Sequence, residues 1–423
     1  MAAKVDCVTD NRMPPIALLR NRPIAYQWGE RNGISDRLGY AATMNHEAEL
    51  WIGSHPKAPS ELVDCPFTDL HSWETETGYR LPYLLKMLAV AQPLSIQAHP
   101  TTAQAERGFN ADNSKNLDLF AAERNYKDPN SKPELVLALE TGFEALCGFR
   151  DPADSAKLLT RITAQNTVNE AGAKLLADLT DRVTTGGLKE TVKWVLANSA
   201  EVQAVLGALT AAAIGIGEGG FTDADAGAAA AGSAGDDAAL ADYAGLITRL
   251  QNCYPNDPGI LVAALLNHVK LAHGEALWLP PGTIHAYLGG YGIEIMGPSD
   301  NVLRGGLTPK HIDIPELVKI TDFTPVADPR LTPEKFGAAK RFNPDAAGQH
   351  SKPFELLHVV GDAEFTAESP SCVLVCSGEF RVFDGERIAE RHLKIGDAVL
   401  LTPGRWQITG AGECFVASGQ LAP

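Results

Sequence analysis

Two short stretches of this chain carry side chains suited to holding a divalent cation. In Ser95-Ile96-Gln97-Ala98-His99-Pro100, Gln97 and His99 stand two apart in an extended apolar run, so both leave the same face of a strand. In the second, Pro280-Pro281-Gly282 makes a turn after Trp278-Leu279 and delivers His285 to the start of another strand. A third piece, Asn130-Ser131-Lys132-Pro133-Glu134, puts a carboxylate at the mouth of the apolar run Leu135-Val136-Leu137-Ala138-Leu139. Two imidazoles, a carboxylate and an amide oxygen arriving on separate strands suit one divalent ion in a barrel. Each residue also has a plainer reading. A histidine beside a proline turn is usually structural, a glutamine in a strand is usually a solvated residue, and Lys132-Pro133-Glu134 alone is a turn before a strand. The partners, not the single residues, carry the metal reading.

The positioning elements follow from texture. Residues 15 to about 150 read as short β segments broken by Gly and Pro, such as Glu49-Leu50-Trp51-Ile52 and Leu94-Ser95-Ile96-Gln97. From about 152, Ala, Leu, Lys, Glu and Val recur at helical spacing, as in Val192, Val195, Val202 and Val205. Residues 215–237, dominated by Gly, Ala and Asp, predict a flexible surface loop. Beta texture returns near Glu275 and alternates to the C-terminus, as in Gly378-Glu379-Phe380-Arg381-Val382-Phe383. Many short strands with Gly/Pro punctuation predict a mainly β fold, a barrel or jelly roll. The expected division is a catalytic barrel in two parts, 1–151 and 258–329, interrupted by a helical insertion at 152–257. A second barrel at 330–423 follows. That last barrel reads as metal-free, because His350, His358 and His392 have no ligand-type neighbour at short spacing.

Composition narrows the function classes. The 423 residues allow two or three domains and a large core. A hydrophobic content of 45% with a mean hydropathy of -0.09 is that of a water-soluble globular protein. The net charge of -16 argues against nucleic acid or an anionic membrane as partner, so any phosphate contact needs a local cationic cluster. No basic segment followed by an apolar run opens the chain, and no apolar stretch approaches a membrane span. The seven cysteines are scattered without a CxxC pair, which fits free thiols in a reducing cytoplasm.

Ordered motifs over nearly the whole chain resemble type I mannose-6-phosphate isomerase, a cupin-fold zinc enzyme. They are Tyr26-Gln27-Trp28-Gly29, Glu49 to Pro56, Leu81 to Lys86, Ser95 to Pro100, Asp128 to Glu134 and Cys147-Gly148-Phe149-Arg150. The stretch Gly292 to Met296 through Ser299-Asp300-Asn301-Val302-Leu303-Arg304-Gly305-Gly306-Leu307-Thr308-Pro309-Lys310 is the most specific. Thr101-Thr102 departs from the acidic-basic pair that often follows the His-Pro dipeptide, and residues 215–237 have no assigned counterpart. The resemblance implies two cupin-type jelly-roll lobes with an inserted helical domain. It places one Zn2+ per chain on Gln97, His99, Glu134 and His285, and a catalytic arginine at Arg304. Lys86 and Ser95 fall where the family contacts the substrate phosphate, and Lys132, Glu294 and Lys310 line the pocket.

The implied reaction interconverts mannose 6-phosphate and fructose 6-phosphate through an enediol, feeding GDP-mannose and glycan synthesis. Zinc held by neutral imidazoles, one carboxylate and an amide keeps enough charge to polarise the sugar oxygens. Arg304 cannot readily lose its proton, so its role is to stabilise the developing oxyanion. For the C–H proton the candidates are Glu294, Lys132 and a water on the metal. A monomer acting on a small sugar phosphate is expected. Two His and one carboxylate also serve non-haem iron dioxygenases, but Gln97 would fill a position those enzymes leave open. A sugar-binding cupin without turnover would have no need of Arg304 and Lys86. No Gly-rich phosphate loop with a following Lys appears, which excludes a fused nucleotidyltransferase.

Overall fold

The computed structural model describes residues 12–165, 168–218, 233–344, 354–386, 388–419 and 421–422. Among them, two 11-stranded sheets and a two-stranded ribbon hold the strands, and every pairing within the sheets is antiparallel. The mainly β expectation therefore stands.

The hub of the first sheet is the strand His285–Met296, which pairs with Leu84–Val90, Ile96–Ala98, Glu134–Ala138 and Phe143–Phe149. Leu84–Val90 and Glu134–Ala138 are buried at every residue, which explains their near-continuous apolar runs. Mid-strand, Gly290 has φ +105°, and a Cβ there would lie 2.8 Å from the Phe143 Cα. Only glycine suits that position. The bend it allows lets one strand present His285 at its first residue and Glu294 near its last.

The helices leave from one strand of this sheet and return on its neighbour. Phe143–Phe149 pairs directly with Leu266–Leu271, Phe143 opposite Leu271, although more than a hundred residues separate the two strands. Asp151 starts the excursion: its side chain accepts from the Ala153 amide at 2.8 Å, and Pro152 fills the first helical position. The helices run Pro152–Ala164, Glu170–Asp181, Gly187–Leu196, Ala200–Glu218, Ser233–Cys253 and Gly259–Ala263. Their apolar faces share one core cluster with Ile96, Ala98, Leu146, Ile284 and Leu303 of the sheet. Each buried Leu or Val in that layer contributes roughly 1.5–3 kcal/mol, so the helical layer backs the strands that carry the site. No single described helix is long and apolar enough to cross a membrane.

Three expectations need adjustment. The segment 215–237 is helical at both ends, through Glu218 and again from Ser233, because alanine favours helix even in a low-complexity run. Residues 219–232 lie outside the described residues. The first 150 residues are not β alone: helices span Leu70–Thr77 and Thr102–Ser114. Thr101 begins the latter with a capping box to Gln104, which gives the Thr101-Thr102 departure a structural role. Finally, the second sheet draws on both ends of the chain. Ile16–Arg20 pairs with Ala398–Leu401 and with Glu61–Val63, placing N-terminal strands beside Ser371–Asp384 and Gly404–Ser418. Cys65, Cys147, Cys253, Cys372, Cys376 and Cys414 are free thiols.

Candidate active site

His99, Glu134 and His285 converge in the interior, each no more than 2% exposed, with ligand atoms all within 4.8 Å of one another. His99 Nε2 lies 3.3 Å from Glu134 Oε1, and His285 Nε2 lies 3.1 Å from Glu134 Oε2. The opposite nitrogens fix the tautomers. His99 Nδ1 donates to the Asn301 carbonyl at 2.7 Å, and His285 Nδ1 donates to the Thr283 carbonyl at 2.8 Å. With those protons committed, both Nε2 atoms carry lone pairs that face an ionised carboxylate.

His99 Nε2, His285 Nε2 and Glu134 Oε2 are indeed buried without a hydrogen-bond partner. Three acceptors facing each other with no proton between them is a costly arrangement unless a cation sits there. Charge states agree. Burial, reinforced by Lys132, pushes the His99 imidazolium down to about 4, so the ring is neutral near pH 7. Burial alone would raise the Glu134 carboxyl, but Lys132 and the neighbouring His99 hold it well below the usual range. The donor set fits a borderline cation such as zinc.

Register places the next two residues. Gln97 stands opposite His285 on one side and opposite Arg304 on the other, so the three share a face of adjoining strands. Arg304 is half-buried, and burial lowers its proton affinity with no carboxylate to offset the effect. Its strand ends at Gly306, φ +131°, where a Cβ would come within 2.3 Å of the Gly259 Cα. Asp257 secures that crossing: Oδ1 accepts from the Gly259 and Leu307 amides at 2.7 and 3.0 Å, and Oδ2 accepts from Thr308 at 3.0 Å. Asp257 is not among the residues that the sequence singles out.

Lys132 and Lys86 are both buried and both paired. Lys132 Nζ sits 2.8 Å from Glu134 Oε1. Lys86 Nζ lies 3.2 Å from Glu294 Oε2 and 3.9 Å from Glu49 Oε2, and it stands 5.1 Å above the Trp51 ring. Glu294 is opposite Lys86 in register and accepts from the Tyr287 hydroxyl at 2.9 Å. Burial pushes the Glu294 carboxyl above the ordinary range, with Lys86 opposing and Glu134 adding to the rise. Glu49 and Tyr287 escaped the sequence reading. The spacing His285-Ala286-Tyr287, two apart on one strand, was the available signal for Tyr287.

Ser95 is half-buried two residues before Gln97, and Lys310 is exposed in the turn after Arg304. Burial and the Arg304 charge lower the Lys310 ammonium; burial, Lys57, Arg304 and Lys310 lower Lys127. Asp300 opposes the shift at Lys127. Beside them runs a cleft of about 900 Å³ whose walls include His55, Lys57, Lys127, Ser131, Pro133 and Asp300.

A β scaffold holding a buried two-histidine, one-carboxylate centre near a polar cleft defines a metal-dependent enzyme site. Residues 17–152 match the family model "Phosphomannose isomerase type I, catalytic domain". Mannose-6-phosphate isomerase of Escherichia coli strain K12 is 33% identical over 92% of this chain and 95% of its own length. The Arabidopsis thaliana protein named mannose-6-phosphate isomerase 1 is 34% identical over 75% of this chain and 73% of its own. Among solved structures, a variant phosphomannose isomerase of Salmonella typhimurium aligns with a TM-score of 0.79 at 29% identity, covering 96% of this chain and 99% of that one. A zinc-bound mannose 6-phosphate isomerase aligns at 0.78 with 30% identity and the same coverage. The chain belongs to the type I mannose-6-phosphate isomerase family.

Proposed function

We propose that this protein interconverts mannose 6-phosphate and fructose 6-phosphate, with zinc held by Gln97, His99, Glu134 and His285. The observation that carries the reading is the trio of buried, partnerless acceptors at His99 Nε2, His285 Nε2 and Glu134 Oε2. Gln97 joins them on the strength of its register beside His285. Bound zinc supplies a Lewis acid for the sugar's carbonyl and hydroxyl oxygens and no redox chemistry.

The chain's own residues supply the rest. Arg304, cationic and without a compensating carboxylate, stabilises negative charge on the enediol oxygens. Glu294, whose carboxyl is raised toward neutrality by burial, moves the proton between C1 and C2. Tyr287 and Lys86 orient it. Lys132 balances the charge of Glu134, a positioning role supported by their 2.8 Å contact. The phosphate lies against Lys310 and Lys127, whose mutual repulsion an anion relieves, with the Ser95 hydroxyl as a further contact.

The division into catalytic parts 1–151 and 258–329, a helical insertion and a C-terminal lobe is part of the same reading, with the strands Ile16–Arg20 and Glu61–Val63 contributed to the sheet of that lobe. So are a monomeric state, a reducing cytoplasm and a place in GDP-mannose supply. The test is elemental analysis together with turnover. His285→Ala protein should lose both zinc and isomerase activity, whereas a full equivalent of zinc with normal turnover would refute the ligand set.

A further inference from the structure

A second cluster repeats the donor set of the first. His273 Nε2 and His358 Nε2 lie 2.8 and 2.6 Å from the same oxygen, Glu413 Oε1, with all three ligand atoms within 4.8 Å of one another. The residues come from different parts of the fold. His273 occupies the turn between Leu266–Leu271 and Ala276–Leu279 of the first sheet. His358 and Glu413 stand on paired strands of the second sheet, Glu355–Val359 and Gly404–Ser418. Glu413 sits opposite Ser377, beside the register shift between Val375 and Ser377, a kind of irregularity that re-aims side chains.

The cluster is preorganised on one side and open on the other. His358 is 4% exposed, and its ring stacks on Phe415 with centroids 4.9 Å apart. Its Nδ1 is buried without a hydrogen-bond partner, so the ring's polar contact is at Nε2, in the cluster. The Glu413 side chain is 13% exposed and that of His273 is 48% exposed. Solvent therefore reaches the His273 side, which gives an ion a route in and leaves coordination positions for water. Gly274 has φ +77° and its missing Cβ would lie 3.5 Å from the His358 ring, so the turn packs closely against the second sheet.

We propose that His273, His358 and Glu413 form a second divalent-cation site, selective for zinc-like ions, that clamps the 272–274 turn to the C-terminal sheet. Two imidazole nitrogens and one carboxylate oxygen are ligands such ions accept, with water completing the shell. The sequence reading of a metal-free C-terminal lobe did not consider it because His358 and Glu413 are 55 residues apart in the chain and His273 lies outside that lobe. The site is independent of the isomerase reading and of the zinc at His99, Glu134 and His285.

Equilibrium dialysis of the full-length protein against buffered zinc, followed by elemental analysis, tests the proposal. Wild-type protein should bind one equivalent more than His273→Ala, and that equivalent should weaken at least about 100-fold in the variant, the scale of losing a ligand rather than its outer support. His273 is exposed, so the variant should fold and keep its isomerase turnover. Cobalt(II) offers a spectroscopic check, with a visible absorption component lost in His273→Ala. Identical zinc isotherms and cobalt spectra for the two proteins would overturn the site and leave the cluster as shared hydrogen bonds.

Discussion

His99 and Asn301, 202 residues apart in sequence, meet where His99 Nδ1 donates to the Asn301 carbonyl oxygen at 2.7 Å. Asn301 is fully buried and its side chain ties the segment that leads to Glu134. Its Oδ1 accepts from the Lys127 amide at 2.7 Å, and its Nδ2 donates to the Asp128 and Asn130 carbonyls at 2.8 and 2.9 Å. One residue thus sets the tautomer of one ligand and the approach path of another.

Asn301→Ala keeps the carbonyl but frees that segment. Zinc affinity should fall about 10–100-fold, as for other outer supports of a metal site, with a stability loss of about 2–4 kcal/mol from unsatisfied buried groups. Competition with a chromogenic chelator measures the first. Unchanged affinity would show that the Lys127–Asn130 segment does not position Glu134.

Arg304→Ala should leave zinc content intact and cut kcat by roughly 10²–10³, the scale of removing one oxyanion-stabilising donor. Steady-state kinetics beside elemental analysis separates this from a metal-binding defect. A variant that loses zinc would place Arg304 among the structural supports.

Lys86→Ala distinguishes two roles. If Lys86 gripped the phosphate as the resemblance implies, KM would rise with little change in kcat. The structure instead pairs it with Glu294 at 3.2 Å and Glu49 at 3.9 Å, so kcat should fall and KM stay within a few-fold. The kcat–pH profile should also shift, because Lys86 opposes the rise of the Glu294 carboxyl. A pure KM effect would return Lys86 to the phosphate.

Glu144 links the helical layer to the sheet through Arg249 and His268. Burial would raise its carboxyl, but His268, 3.8 Å away, and the hydrogen-bonded Arg249 guanidinium outweigh burial and hold it at about 2, against an ordinary 4.5. A depressed folded value contributes stability above the unfolded value and loses it as pH falls through the folded one. Glu144→Gln should therefore cost about 1–2 kcal/mol above pH 4.5, and the difference should vanish near pH 2. Thermal unfolding across that range measures it; a pH-independent difference would mean the ion pair adds nothing.

The proposed metal ligands were legible because chemistry and spacing coincided: Gln97 and His99 two apart, His285 after a proline turn, Glu134 opening an apolar run. The supports were not. Asn301, Asp257, Tyr287 and Glu49 act through contacts between strands distant in sequence, which no local pattern encodes. Fold class followed from strand punctuation, but the N-terminal strand Ile16–Arg20 joins the far sheet because register is decided by packing partners. The helix ends inside residues 215–237 escaped notice because a Gly-rich composition masked alanine's propensity.

The central claim is best tested by turnover of mannose 6-phosphate by the purified protein, coupled to a spectrophotometric readout of fructose 6-phosphate. Activity should disappear on exhaustive chelation and return with added zinc, and unphosphorylated mannose should be a far poorer substrate. In deuterated water some label should enter the transferred position, as an enediol requires. No chelator-sensitive turnover of the phosphorylated sugar, or full activity in metal-free protein, would contradict the account.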